Sequence, residues 1–528
     1  FALEIARLSL TLADVPNPDG WDLVPGDMFL GDLLERQSRN ATILLANPPF
    51  ENFSDEELER YRAGDVAPAY LNKTAEMLGR TLPQLPAGAV FGIVVPESLL
   101  HNKNSKELRA ILLRDFDIGE ICSLPDKVIS HSDMESAVIL GRRRDATAHP
   151  ARWMSFRRVR ERDMDRFKLD YHTTMRQDVD VARFASASDF DLRVPELDEL
   201  WQWCRNAGCS SVDALADMGQ GLAFHGNRLA KGSRTYTSSH FAGAVRGFVH
   251  FDCKYTHHLP SRYWLSLSSE VLLHRRAGVT TGVPQILLNY ARVSRGPWRL
   301  KALIDREGHA VTSRFIAIRS PSTETPLEYL WAVLNSPLAN AFAYCHLGKR
   351  DNLVSVIRAT PLPKAGPQQI AQVAEAAAAY LAAVSGRNAQ QGHEVSEKCR
   401  DLLLRVDAEL LRLYRLPPAL ERQLLDLFAG WERAGVPFPF DRYFPAHFGD
   451  CLPLHDLVAI TQDWSETNRR RSALIAKKVR RIIAADEKVE LSRLQELADL
   501  RVRLVAPLPL RELEQWQQFQ SEASQWSG

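Results

Sequence analysis

Two short, nearly unbroken apolar runs do most to limit what this chain can fold into. They are Ile43-Leu44-Leu45 and the stretch from Val90 to Val95. Each is stopped by proline, at Pro48-Pro49 and at Pro96. Proline cannot donate to a ladder or continue a helix. The runs are too short for helices, and their Val and Ile suit strands. SKELRAILLRDF, a helical pattern, follows the second run, and ESAVILGRRR, another strand pattern, comes after it. Continuous apolar strands alternating with helices predict an α/β fold whose parallel sheet is covered on both faces.

Four segments are expected along the 528 residues, within the roughly three to five domains such a length allows. Residues 1–150 carry the α/β pattern. Residues 151–195 are polar and mixed and suggest a connector. Residues 196–365 are richer in Gly, aromatic and β-branched residues, with strand patterns such as VPQILLNYARV and SRFIAIRS, and suit an α+β domain. Residues 366–528 are helical, with apolar stripes in QQIAQVAEAAAAYLAAVS and KCRDLLLRVDAELLRLY. The chain opens on FALEIARLSLTLAD, an amphipathic helical pattern already under way and without signal-peptide features. A longer polypeptide is therefore expected, of which this is the carboxyl-terminal part.

Charge is nearly balanced, with 66 Lys+Arg against 65 Asp+Glu, which excludes a uniformly basic coat protein. The balance hides a division. Residues 1–150 hold 15 basic and 23 acidic side chains, whereas residues 225–319 hold 15 and 4. Aromatics such as Tyr236, Tyr263 and Trp264 lie among the basic residues Arg246, Arg262 and Arg275. That mixture suits phosphate contact and base stacking, and equally a solvated basic face. Seven cysteines with no C-x-x-C pair give no zinc pattern, and no metal site is expected. Free thiols fit a reducing cytoplasm. No apolar run reaches about 18 residues, so no membrane span is expected.

Asn47-Pro48-Pro49-Phe50 directly follows the first strand, and the carboxyl end of a parallel strand is where α/β sheets place their sites. An exocyclic amine on a nucleobase is a poor nucleophile, because its lone pair is delocalised into the ring. The Asn47 carboxamide oxygen and the Pro48 carbonyl are both acceptors. Together they can hold the two N–H groups and favour a more tetrahedral nitrogen. Pro48 and Pro49 stiffen the turn and aim that carbonyl. Phe50 offers a flat face to a base removed from its stack. The alternative is a plain proline turn after a strand.

On these residues the chain resembles the γ-class DNA N6-adenine methyltransferases of restriction–modification and phage-defence systems, including the large single-chain enzymes. The resemblance runs through about residues 1–450. GWDLVPGDMFLGD lies some twenty residues before the motif. It implies that Asp27 meets the adenine of S-adenosyl-L-methionine and that Met28 packs on that ring. GIVVPESLLHNKNSKELRAILLRDF and ESAVILGRRR are similar to the family's next blocks. Ile129 stands where the family often has a second stacking aromatic. The family's glycine-rich cofactor loop and ribose-binding acid are absent from this sequence. This chain alone is thus expected to bind the cofactor poorly and to be inactive.

The resemblance implies a partial Rossmann-like methyltransferase domain, an α+β target-recognition domain over 196–365 and a helical carboxyl-terminal region. Arg292, Arg295 and Arg299 are candidates for base reading, and Lys349 and Arg350 for phosphate contact. The implied reaction is methyl transfer to adenine N6 in duplex DNA, with a nuclease or other defence subunits as partners. Two alternatives stay open. One is a catalytically silent DNA-recognition module of a multi-subunit complex. The other is a related methyltransferase acting on cytosine N4, on RNA or on a glutamine amide.

Overall fold

Strands β1 (Ile43–Ala46) and β2 (Val90–Pro96) form where the two apolar runs predict them, and they pair in parallel with Ala46 beside Ile93. The computed structural model describes residues 2–13, 21–64, 67–128, 134–186, 189–226, 234–321, 325–347, 351–386, 393–445, 448 and 452–505. The chain divides into two compact units, residues 1–196 and 197–528.

In the first unit, the described α-helices are α1 (Ala2–Ala13), α2 (Leu33–Ser38), α3 (Asp55–Ala63), α4 (Lys73–Thr81), α5 (Lys106–Asp115), α6 (Met164–Asp170) and α7 (Ala182–Ala185). The remaining strands are β3 (Phe116–Leu124), β4 (Ser136–Arg143), β5 (Trp153–Arg158) and β6 (Met175–Asp180). All six strands join one sheet in the order β1-β2-β4-β3-β5-β6. The sheet is mixed, which corrects the expectation of a parallel one. β4 inserts antiparallel between β2 and β3, and β6 runs antiparallel to β5. The connector assigned to 151–195 is also corrected. Met154, Phe156 and Val179 alternate inward from β5 and β6 and are buried in the same core as Ile93 and Ile139. A polar composition hid the strands because only every second residue faces that core.

One face of the sheet packs on α4 and α5, through Met77, Leu78, Leu108 and Leu112. The opposite face is not closed at β1, where Ile43 is 62% and Leu45 77% exposed. The expected cover on both faces is thus absent at this edge among the described residues. α1 is helical as expected, with its Ile5, Leu8 and Leu12 exposed.

The second unit holds two four-stranded sheets. One is antiparallel, in the order Ala302–Asp305, Gln285–Asn289, Phe315–Arg319, Asp217–Gln220. The other combines Tyr236–Thr237, Arg262–Ser266, Ala244–Phe248 and Ala310–Val311. The buried helices Leu327–Asn335 and Pro337–His346 share a core with Pro367–Ser385 and His393–Tyr414. Asp407 on the last of these pairs with Arg433, whose Nη2 also donates to the Asn335 carbonyl at 2.9 Å. This buried pair ties the irregular segment after Leu427 to the helices. No described helix is long and apolar enough to cross a membrane.

Candidate active site

β1 ends at Ala46, and Asn47 is the first residue beyond it. Asn47 is exposed, Pro48 buried, Pro49 exposed and Phe50 half-buried. The Asn47 carboxamide has no hydrogen-bond partner among the described residues, and no described group donates to the Pro48 carbonyl. The carbonyls that follow are different. Thr74 Oγ1 donates to Pro49 O at 2.8 Å, and Asn72 Nδ2 donates to Phe50 O at 2.8 Å. The backbone N–H of Lys73 reaches Glu51 O at 3.1 Å. Successive carbonyls after Pro48 are therefore satisfied from within the protein. The two acceptors at the start of the motif have no such partner among the described residues.

Lys73 is 8% exposed and lies between two carboxylates, with Nζ at 2.5 Å from Glu51 and 2.8 Å from Glu57. These partners hold its ammonium above the usual lysine range. Glu57 in turn completes a capping box with Ser54 at the start of α3. The segment after Phe50 is thus anchored at both the backbone and the side-chain level.

Asp27 lies in an irregular loop before α2. Its carboxylate accepts from Phe29 N at 3.0 Å, from Tyr61 Oη at 2.9 Å and from Arg60 Nη2 at 2.8 Å. Burial, then the Asp27 bond, raises the Tyr61 phenol above its ordinary range. Tyr61 Oη also lies 3.2 Å from Oδ1, so each oxygen of the carboxylate has two contacts, Phe29 N and Tyr61 Oη on Oδ1 and Arg60 Nη2 and Tyr61 Oη on Oδ2. Met28, beside it, is 39% exposed. Phe29 meets Phe53 edge-on at 5.0 Å between ring centroids, and Phe53 meets Tyr61 at 5.5 Å. This aromatic cluster brings the Asp27 loop beside the segment that follows Phe50.

In the second unit, Arg299 is corrected as a base-reading candidate. It is 2% exposed, and its guanidinium donates to Asn352 Oδ1 at 2.9 Å, Leu347 O at 3.0 Å and Asp351 O at 3.3 Å. A guanidinium consumed by internal acceptors cannot reach a base edge. Arg295 is exposed and Arg292 half-buried, so neither is excluded by burial. Lys349, Arg350 and Ile129 lie outside the described residues. A pairing that spacing did not reveal is Arg246 over the Trp264 ring at 5.2 Å, with His240 edge-on to Trp264 at 4.5 Å. Arg246 and Trp264 are directly opposite on neighbouring strands. Strand register was the missing signal. Among the described residues no cluster of His, Cys, Asp and Glu suits a metal ion.

No family model and no curated protein matches the chain. Among solved structures it is similar to the type IIL restriction-modification enzyme MmeI in complex with DNA. That match has 12% identity over 75% of this chain and 57% of that one, with a TM-score of 0.46. It is also similar to a nuclease-deletion mutant of the type ISP restriction-modification enzyme LlaGI in complex with a DNA substrate mimic. Here identity is 10% over 68% and 43% of the two chains, with a TM-score of 0.39. A third likeness is to a type I restriction-modification methyltransferase subunit from Streptococcus thermophilus, 15% identical over 32% and 40%, with a TM-score of 0.25. The chain spans between 40% and 57% of the length of these three structures.

Proposed function

We propose that the chain is part of a site-specific DNA methyltransferase of a restriction–modification or related anti-phage system, acting on adenine N6 in duplex DNA. The observation that carries this reading is the pair of unengaged acceptors, Asn47 carboxamide and Pro48 carbonyl, at the carboxyl end of β1. Asn47 Oδ1 and Pro48 O accept the two N–H groups of the target amine and draw its nitrogen toward a nucleophilic geometry. Phe50 stacks the flipped base. Asp27 accepts from the adenine amino group of S-adenosyl-L-methionine, and Met28 packs on that ring. The cofactor, when bound, supplies an electrophilic methyl group. The protein's part is to hold the amine in line with it, and orientation of this kind is a large source of acceleration. Arg292 and Arg295 remain candidate DNA contacts, as do Lys349 and Arg350.

The same two acceptors would hold the amine of cytosine. The deciding experiment incubates the full native protein with duplex DNA and methyl-labelled cofactor, then identifies the modified nucleoside by mass. N6-methyladenine is expected. N4-methylcytosine would move the assignment to the cytosine amine. No labelled nucleoside with duplex DNA or RNA would remove the enzyme reading and leave DNA recognition alone.

A further inference from the structure

We infer that α4 is a positioning beam that grips the Asn47–Phe50 turn at one end and the Asp27 loop at the other, with Asn72, Thr74 and Arg80 as positioning residues. Its consequence for catalysis rests on the methyltransferase reading; its geometry does not. At the amino-terminal end, Thr74 is fully buried with its hydroxyl on Pro49 O, and Asn72 performs two tasks. Its Oδ1 caps the helix by accepting from Ala75 N at 3.2 Å, while its Nδ2 holds Phe50 O.

Six residues on, Arg80 turns back to the other loop. Its Nη1 donates to Phe29 O at 3.1 Å and Gly31 O at 3.3 Å. Its Nε is held by Glu76 Oε1 at 2.6 Å, so the fork cannot swing. Glu76 is itself fixed, 2% exposed, with Oε2 accepting from Ala69 N at 2.8 Å and Tyr70 N at 2.9 Å. Gly79 allows the Tyr70 ring to lie on the helix, since a Cβ there would meet it at 2.6 Å. An α-helix rises about 1.5 Å per residue, so Thr74 and Arg80 stand roughly 9 Å apart along a stiff element. The two loops that carry the candidate amine-holding and cofactor-holding groups are thus spaced by one helix. The grips fall on carbonyls of the two loops and spare the Asn47 carboxamide and Pro48 O.

The test is hydrogen–deuterium exchange on variants of the full native protein, read beside methyl transfer. Thr74→Val removes the hydroxyl at nearly constant volume. Exchange in the peptide covering residues 47–52 is expected to rise about tenfold, with residues 27–31 unchanged, and Thr74→Ser restores protection. Asn72→Asp keeps the helix cap and loses the grip, so 47–52 loosens while α4 stays protected. Arg80→Gln gives the converse, with 27–31 loosened and 47–52 unchanged. In turnover, Thr74→Val lowers kcat at unchanged cofactor KM, and Arg80→Gln raises cofactor KM at nearly unchanged kcat. Unaltered exchange in Thr74→Val, or equal loosening of both loops by either variant, overturns the beam. A wild-type protein that transfers no methyl group overturns the enzyme reading alone, because the exchange pattern still decides the beam.

Discussion

Asn47 differs from the buried asparagines of the second unit in what its carboxamide holds. Asn289, Asn335, Asn340 and Asn352 are buried, and each spends its amide on neighbouring backbone. Such groups are structural because a buried amide without partners costs stability. Asn47 is exposed and engages no described residue. Replacing it with Ala should leave folding and DNA affinity nearly unchanged and lower kcat by roughly 10²- to 10³-fold, the cost of losing one aligned polar group in a transition state. Steady-state methylation and fluorescence anisotropy on one preparation separate the two effects. A parallel loss of DNA binding would mean that Asn47 serves recognition. Arg299 predicts the opposite profile. Arg299→Met strands buried acceptors and should lower the unfolding free energy by about 3 kcal/mol, whereas the same change at the exposed Arg295 should cost less than about 1 kcal/mol, the most that an exposed contact of a guanidinium is usually worth. Urea unfolding of the two variants checks this. The motif was legible because its chemistry is local to four consecutive residues. The burial of Arg299 was not, because its partners Asn352 and Leu347 lie some fifty residues away.

At the scale of elements, what could be seen in the sequence was periodicity. The apolar runs at Ile43 and Val90 became β1 and β2, and the stripes after residue 366 became helices. Direction of pairing was hidden, because an antiparallel strand such as β4, buried between neighbours, has the same apolar run as a parallel one. Elements also create groups whose behaviour no local pattern reveals. Glu421, on the helix Pro418–Asp426, is 2% exposed and accepts from Leu454 N at 2.6 Å. Burial, reinforced by Asp456, pushes its carboxyl from the usual 4.5 up to about 7. A raised carboxyl pKa means the folded state holds the proton more tightly than the unfolded chain. Its stabilising effect is complete below pH 4.5 and is lost as pH rises to about 7. Glu421→Gln keeps an acceptor and removes the charge. It should stabilise the second unit by about 3 kcal/mol at pH 8 and by little at pH 5. Thermal unfolding at the two pH values measures the difference, and an equal effect at both would show that Glu421 is not protonated in the fold at pH 5.

For the molecule as a whole, charge is the property that composition conceals. Of the basic side chains between 225 and 319, several are spent internally: Arg262 pairs with Glu307, Arg306 with Glu328, and Arg299 and Lys301 are buried. Arg246 is exposed and meets the Trp264 ring rather than a carboxylate. Cation and ring together suit a nucleic-acid strand, the one contacting phosphate and the other stacking. The two contributions differ in salt dependence. A phosphate contact releases counterions, so Arg246→Gln should weaken binding to every duplex alike and reduce the slope of log K against log salt by about 1. Trp264→Ala should weaken binding through lost stacking, worth roughly 1–3 kcal/mol per base, with the slope unchanged. Anisotropy titrations from low to physiological salt distinguish them. If neither substitution alters affinity, this sheet does not face DNA, and the exposed Arg295 becomes the better starting point. If Arg246→Gln alters the slope while kcat at saturating DNA holds, binding and chemistry are separable functions of this chain. The acidic balance of residues 1–150 then fits a division of labour in which the basic residues of 225–319 supply attraction to phosphate.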